Sequence, residues 1–191
     1  MADLKLFMVL LGSKAPQRNV EQHDFFFGIA NEMHELIPRM RDFWPEAGSS
    51  LHIDGWREIT HVEGYRVSIA PKSAAQPNNS KRLFFVNLGG YISGKLEEQH
   101  YTLLTVQDDR KWAIKAATTT DFFKSNTIKA IKSAAAHIDE KYGIDVDEIY
   151  RIDDLLSDDD KNNYHINLEL NAEGIADAIQ LGYLKLDKVY V

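Results

Sequence analysis

Apolar residues run almost unbroken from Lys5 to Leu11 and stop at Gly12. That is the pattern of a strand covered on both faces. Ser13 to Gln22 is polar, with Lys14, Pro16 and Arg18, and reads as a loop. His23 to Ala30 (HDFFFGIA) turns apolar again and predicts a second strand. Asn31 is a candidate helix cap, and Met33, Leu36, Ile37, Met40, Phe43 and Trp44 follow at helical spacing. Pro38 predicts a kink, or a helix proper that starts near Ile37, and Pro45 and Gly48 end it. Leu51 to Ile59 alternates as a strand. Strict alternation places His52, Asp54, Trp56 and Glu58 on one face and Ile53, Gly55, Arg57 and Ile59 on the other. Glu63-Gly64 opens a further strand that buries Tyr65, Val67 and Ile69. Residues 71–81 (PKSAAQPNNSK) read as a linker.

The opening pattern returns after this linker. Leu83–His100 (LFFVNLGGYISGKLEEQH) repeats Leu6–His23 (LFMVLLGSKAPQRNVEQH) without a gap, at a constant offset of 77 residues. Leu, Phe, Val, Leu, Gly and the triplet Glu-Gln-His recur in place, where chance gives roughly one match. This is the mark of an internal duplication. Tyr101–Gln107 and Lys111–Ala117 then read as a hairpin turning at Asp108-Asp109. A helix capped by Ser125 or Asn126 and ending near Gly143 follows. His137-Ile138-Asp139 and Tyr150-Arg151-Ile152 match His52-Ile53-Asp54 and Tyr65-Arg66-Val67 at an offset of 85. Beyond an acidic loop from Asp153 to Asp160, Tyr164–Leu170 reads as a strand, Asn171 as the cap of a helix closed by Gly182, and Leu184–Val191 as a last strand.

The expected fold is α+β. A small sheet-plus-helix module (1–70), a linker (71–81) and a second, diverged module (82–156) precede a strand–helix–strand extension (157–191) packed on the second module. The copies are expected side by side, their sheets either separate or merged across a pseudo-two-fold axis.

Charge and composition remove several function classes. A net charge of −7 argues against a nucleic-acid footprint. The absence of cysteine excludes disulfides, zinc-thiolate sites and thiol nucleophiles, and fits a cytoplasmic protein. No stretch is long and apolar enough for a membrane helix, and Leu4–Leu11 is a strand rather than a signal-peptide core. Gly89–Lys95 (GGYISGK) imitates a phosphate-binding loop, but Leu96 stands where Ser or Thr is required and no helix follows. ATP hydrolysis is rejected, although Lys14, Arg18 and Lys95 occupy equivalent loops that suit an anion. The aspartates between Asp153 and Asp160 lack the spacing of a calcium loop and read as a solvated acidic segment.

Two groups of residues carry candidate chemistry. Glu21, Gln22 and His23 close the first loop, and Glu98, Gln99 and His100 repeat them. A carboxylate and an imidazole two residues apart suit metal binding or acid–base work, or else fix the loop by bonding to backbone. His52, Asp54 and Trp56 form the second group, either a pocket wall or a solvated strand face. If the groups meet, the first module holds a four-residue constellation.

The run LG…EQHDFFFGIA…FWPEA…HIDGWREI…VEGYRVSI resembles the family known as domain of unknown function 1543, from Leu6 to about Ile69, with the second half as a diverged copy. The resemblance implies a bacterial, cytoplasmic protein and supplies no activity, ligand, cofactor or catalytic residue. Glu21, Gln22, His23, His52, Asp54, Trp56 and Arg57 are its family-like positions. The leading expectation is a soluble binding protein for a small polar or anionic ligand, contacted by Glu21, His23, His52, Asp54 and Arg57, with Trp56 as a stacking wall. One alternative is a hydrolase using His23 with Glu21 or Asp54, metal-assisted or not. Another is an assembly module without a pocket, in a homo-oligomer. No metal is assigned from sequence, and no nucleic-acid or membrane partner is expected.

Overall fold

A computed structural model describes residues 4–74, 80–91, 96–121 and 144–189. The fold is α+β, and the chain divides into two compact units, Met1–Asn78 with Asp153–Val191, and Asn79–Ile152. Each sheet is built from strands of one unit.

In the first unit, β1 (Lys5–Ser13) lies between β2 (Gln22–Ala30) and β3 (His52–Glu58), all antiparallel. Its near-continuous apolar run fits that central place. Phe7, Val9 and Leu11 on one face join Phe26, Leu36, Met40 and Ile53 in the main core. A 3-10 turn (Met33–Leu36) leads into α1 (Ile37–Phe43), with Pro38 in the first helical turn, where its missing N–H costs nothing. Asn31 is not a cap; its backbone N–H donates to the Glu35 carboxylate at 3.0 Å. β4 (His61–Val62) and β5 (Tyr65–Pro71) form a tight hairpin in which both Glu63 and Gly64 have positive φ, 49° and 78°. The linker expected from residue 71 therefore begins one residue into strand, and residues 75–79 of it lie outside the described residues.

The C-terminal segment corrects the expected packing. β9 (Tyr164–Leu170) pairs with β5 along its whole length, and β10 (Gln180–Lys185) pairs with β3. The extension completes the first unit's sheets rather than resting on the second module. Both β3 and β5 offered a free edge, and pairing satisfies their backbone groups. The helix expected after Asn171 is absent. Asp177 instead accepts from the Thr60 N–H at 3.0 Å, the Thr60 hydroxyl at 2.5 Å and the His61 N–H at 3.1 Å. A Cβ on Gly174 would stand within 3 Å of the His61 ring, so backbone packs directly on the imidazole. Those tertiary contacts outweigh a short helix whose nucleation is costly. The acidic segment is likewise no solvated loop. It forms short helices at Ile152–Leu155 and Asp158–Asn163, and Asp160, 2% exposed, receives the Arg39 guanidinium at 2.8 Å.

In the second unit, β6 (Arg82–Tyr91) lies between β7 (Glu98–Gln107) and β8 (Ile144–Arg151). The predicted strand at Lys111–Ala117 is a helix, α2 (Arg110–Ala117), because the Asp109 carboxylate caps it by accepting from the Trp112 N–H. Ala113 and Ala117, one helical turn apart, join Phe84, Val86, Leu88 and Ile149 in a core cluster. The helix expected from Ser125 or Asn126, with His137 and Asp139, lies outside the described residues.

A gathering of imidazoles and carboxylates over Gly12

Gly12 near the end of β1 faces His23 on β2 and His52 on β3. Paired positions in a sheet share a face, so both imidazoles rise on the side opposite the main core. Asp54 reaches the same place by an irregularity. Leu10 pairs with Gly55 and Leu11 with Ile53, which leaves Asp54 as an extra, unpaired residue. This bulge shifts the alternation by one position. Ile53 and Trp56 consequently both face the core, with Trp56 6.2 Å from the Phe7 ring, while His52 stands on the other side. The single face expected to hold His52, Asp54 and Trp56 is thus corrected.

Four side chains meet above Gly12. His52 Nε2 is 2.9 Å from Glu21 Oε1 and 3.3 Å from Asp54 Oδ1, and His23 Nε2 is 3.0 Å from Asp54 Oδ2. Glycine is what makes room. A Cβ at position 12 would stand 2.3 Å from Asp54 Oδ2 and 2.6 Å from His52 Nε2. His52 is 3% exposed at the base of the cluster, whereas the Glu21 and His23 side chains are 40% and 45% exposed at its mouth.

The orientation of His52 follows from its other nitrogen. Nδ1 lies 2.8 Å from the Ser50 carbonyl, which can only accept, so Nδ1 carries the hydrogen. The Ser50 hydroxyl in turn donates to the Ala47 carbonyl at 2.8 Å and sits 2.6 Å from the buried Ser13 hydroxyl. In neutral His52, Nε2 is then a bare lone pair facing two carboxylates. Neither His52 Nε2 nor Asp54 Oδ2 makes an aligned hydrogen bond, despite the short distances. In the neutral state His52 Nε2 and the two carboxylates bring acceptors together, an arrangement that favours a positive charge in their midst.

Glu21, His52 and Asp54 each offer a ligand atom within 4.8 Å of the other two. Ligand atoms held at about 2.0–2.2 Å from an ion stand about 2.8–3.1 Å apart across a right angle and about 3.3–3.6 Å apart across a tetrahedral one. The 2.9 and 3.3 Å separations at His52 Nε2 have that size.

The other candidates stand apart from this group. The Gln22 amide turns back to the Val20 carbonyl. Arg57 pairs with Met8, further along the strand. Burial pushes its guanidinium below the ordinary arginine range, and nearby Asp177 partly opposes this. In the second unit, Gln99 turns back to Glu97 as Gln22 does to Val20, His100 lies 3.9 Å from Glu98, and His100 Nδ1 is 3.3 Å from the Asn87 amide. Ser50 and Tyr183 were not singled out by sequence. Tyr183 lies against His52, ring centroids 4.3 Å apart, and nothing local marks a tyrosine 131 residues away as a neighbour. Gly12 did carry a signal, since glycine ending an apolar strand marks close approach.

Comparison with known proteins covers part of this region and leaves out β1. The family model described as Domain of Unknown Function (DUF1543) matches residues 18–69. A solved structure, described as the crystal structure of a protein Il1583 from Idiomarina loihiensis, is similar with a TM-score of 0.64 and 27% identity, over 96% of this chain and 98% of that one. No curated protein matches. Glu21, His23, His52 and Asp54 all fall inside the stretch that matches the family.

Proposed function

We propose that the first unit binds a divalent transition-metal ion through Glu21, His52 and Asp54, with His23 against Asp54 at the mouth of the site. One observation carries this reading. The deeply buried His52 is held by the Ser50 carbonyl so that its Nε2 meets two carboxylates at ligand-edge distances. A backbone carbonyl on the far nitrogen is the usual support of a metal-bound histidine. Mixed nitrogen and oxygen donors suit zinc, manganese or iron better than calcium or magnesium. The small polar or anionic ligand expected from sequence becomes a second partner, since Trp56 and Arg57 do not join the four residues.

Zinc or manganese titration tests the reading. At about 100 times its dissociation constant, a bound ion stabilises the fold by about 2.7 kcal/mol. The wild-type melting temperature should rise accordingly, and that of His52→Ala should not move. An equal rise in both proteins would sink the proposal.

The exposed pairing of His23 with Asp54 favours a second reading, metal-assisted hydrolysis. A cation seated above Asp54 would keep its outer side open to solvent, as catalytic sites do. Water bound there would attack an ester, giving acid and alcohol. Turnover of an ester or phosphodiester by metal-loaded protein, lost in His23→Gln, is the result to expect. Metal-loaded protein inert towards a broad panel would remove this reading and leave the first.

The duplication belongs to the same proposal. Pairing along β6 and β8 skips Asp147 just as pairing along β1 and β3 skips Asp54. Asp145 therefore pairs with Gly89 where His52 pairs with Gly12. Residue matches between β3 and β8 run at an offset of 93 rather than 85, which moves Tyr150-Arg151 from Tyr65-Arg66 to Arg57-Glu58. A bacterial, cytoplasmic setting rests on the family resemblance.

A further inference from the structure

Beside the cation site, and within the first unit, lies an open groove of about 600 Å³. Arg41, Trp44, Ser49, Tyr183, Lys185 and Asp187 are among the residues that line it. Two features tie it to the four residues above Gly12. Tyr183 is common to both, one of the groove's walls and at the same time in contact with the His52 ring at 4.3 Å. The turn Pro45–Ser50 is also common to both, lining the groove at Pro45, Gly48 and Ser49 and orienting His52 through the Ser50 carbonyl. Gly48, at φ 54° and ψ −133°, adopts a conformation that side chains disfavour, and this bends the turn between its two roles.

We propose that this groove holds the non-coordinating part of a small organic anion, a flat apolar body with a carboxylate or phosphate, bound next to the cation. This rests on the cation-site reading. The chemistry of the lining gives the class. Arg41 and Lys185 place two cations against the single carboxylate of Asp187, on a protein whose net charge is −7. Such a local reversal of sign attracts anions to this face. Trp44 and Tyr183 add aromatic surface suited to a planar group. The exposed mouth formed by Glu21 and His23 leaves a coordinated ion open towards an incoming donor.

The test uses full-length, zinc-loaded protein with phenyl phosphate, benzoate and inorganic phosphate as probes, read by tryptophan fluorescence and calorimetry. Phenyl phosphate or benzoate should bind more tightly than inorganic phosphate, and whichever aromatic probe is preferred identifies the anionic group. Arg41→Gln and Lys185→Gln should each weaken that probe about two- to fivefold, the size of a solvent-exposed ion pair, with zinc content unchanged. Both residues are exposed, so the variants should fold, and circular dichroism checks it. Equal affinity in wild type and both variants, or no binding of either aromatic probe, would overturn the proposal. If the wild type takes up no zinc, the cation reading fails by itself. The same titrations on zinc-free protein then decide the groove, again by whether the two variants lose affinity.

Discussion

Two strand triples in this chain follow one plan and differ at the residue paired with the central strand's glycine. β1 and β6 each carry a glycine that faces a histidine of a Glu-Gln-His triplet, His23 in one and His100 in the other. On the opposite side each glycine pairs just before a skipped aspartate, Asp54 in one and Asp147 in the other. The residue paired with the glycine is His52 in the first triple and Asp145 in the second. The backbone device is therefore shared, and the imidazole is not. In the first triple a buried histidine, oriented by Ser50, gathers two carboxylates. In the second, His100 approaches the Asn87 amide and stands 3.9 Å from Glu98. A glycine and a bulge make space for the cluster, and on the proposed reading the oriented nitrogen donor is what would favour a transition metal.

The largest expected effect comes from filling that space. Gly12→Ala sets a Cβ 2.3 Å from Asp54 Oδ2 and 2.6 Å from His52 Nε2, so both side chains must move. Zinc affinity should fall by about 100-fold, the upper range for ligands that lose their support. Gly89→Ala should leave zinc affinity unchanged. His52→Asp, which gives the first triple the residue of the second, should lose zinc as completely as Gly12→Ala. Equal losses from the two glycine variants, measured by calorimetry, would mean that the difference between the triples is not what selects the metal.

The next effect separates the units by what covers them. In the first, the Asp160 carboxylate is almost fully buried and is held by Arg39 through contacts of 2.8 Å to both oxygens. Arg39 also donates to the Ile29 carbonyl at 3.0 Å. Gly28 permits this approach, since a Cβ there would lie 2.7 Å from the guanidinium. Removing one partner of such a pair strands the other charge, at a cost of about 3 kcal/mol. Asp160→Ala should lower urea resistance by that amount. Fluorotryptophan NMR can follow the units separately, because Trp44 and Trp56 belong to the first and Trp112 to the second. Trp112 shifting at the same urea concentration as the other two would show that both units unfold as one.

Strand and core positions were legible where one local pattern sufficed. The apolar run before Gly12 predicted a central strand, and Pro38 marked the start of α1, because each depends on neighbours in sequence. The cluster over Gly12 is half legible. Glu21, His23, His52 and Asp54 were named by residue type and repetition, but a period of two put Trp56 beside them. Only pairing with β1 shows the bulge at Asp54, and that single extra residue reverses the face of everything after it. The C-terminal segment is illegible for a similar reason. Asp160 and Asp177 look like solvent-facing acids until Arg39, Thr60 and His61, more than 100 residues away, supply their partners. The difference at Lys111–Ala117 is local, since aspartate suits turns and caps alike and Asp109 is a cap.

That cap exposes a smaller contrast between the units. α2 begins with a side chain that accepts from its first turn, Asp109 from the Trp112 N–H at 3.0 Å. The 3-10 turn before α1 has no side-chain cap, and its Glu35 reaches back to the Asn31 N–H. Asp109→Ala should cost about 1 kcal/mol and report at Trp112. Glu35→Gln should cost less and report at Trp44. The Asn31 N–H holds the Glu35 carboxyl below its ordinary value, an effect that outweighs the opposing effect of desolvation. A depressed folded-state value means that unfolded chains bind the proton more readily. The contribution is complete above the unfolded value and disappears as pH falls through the folded one. The difference in melting temperature between wild type and Glu35→Gln should therefore be small at neutral pH and close in acid. A difference that persists unchanged at low pH would show that the charge on Glu35 contributes nothing, and that its contact with Asn31 matters only as an ordinary amide could supply it.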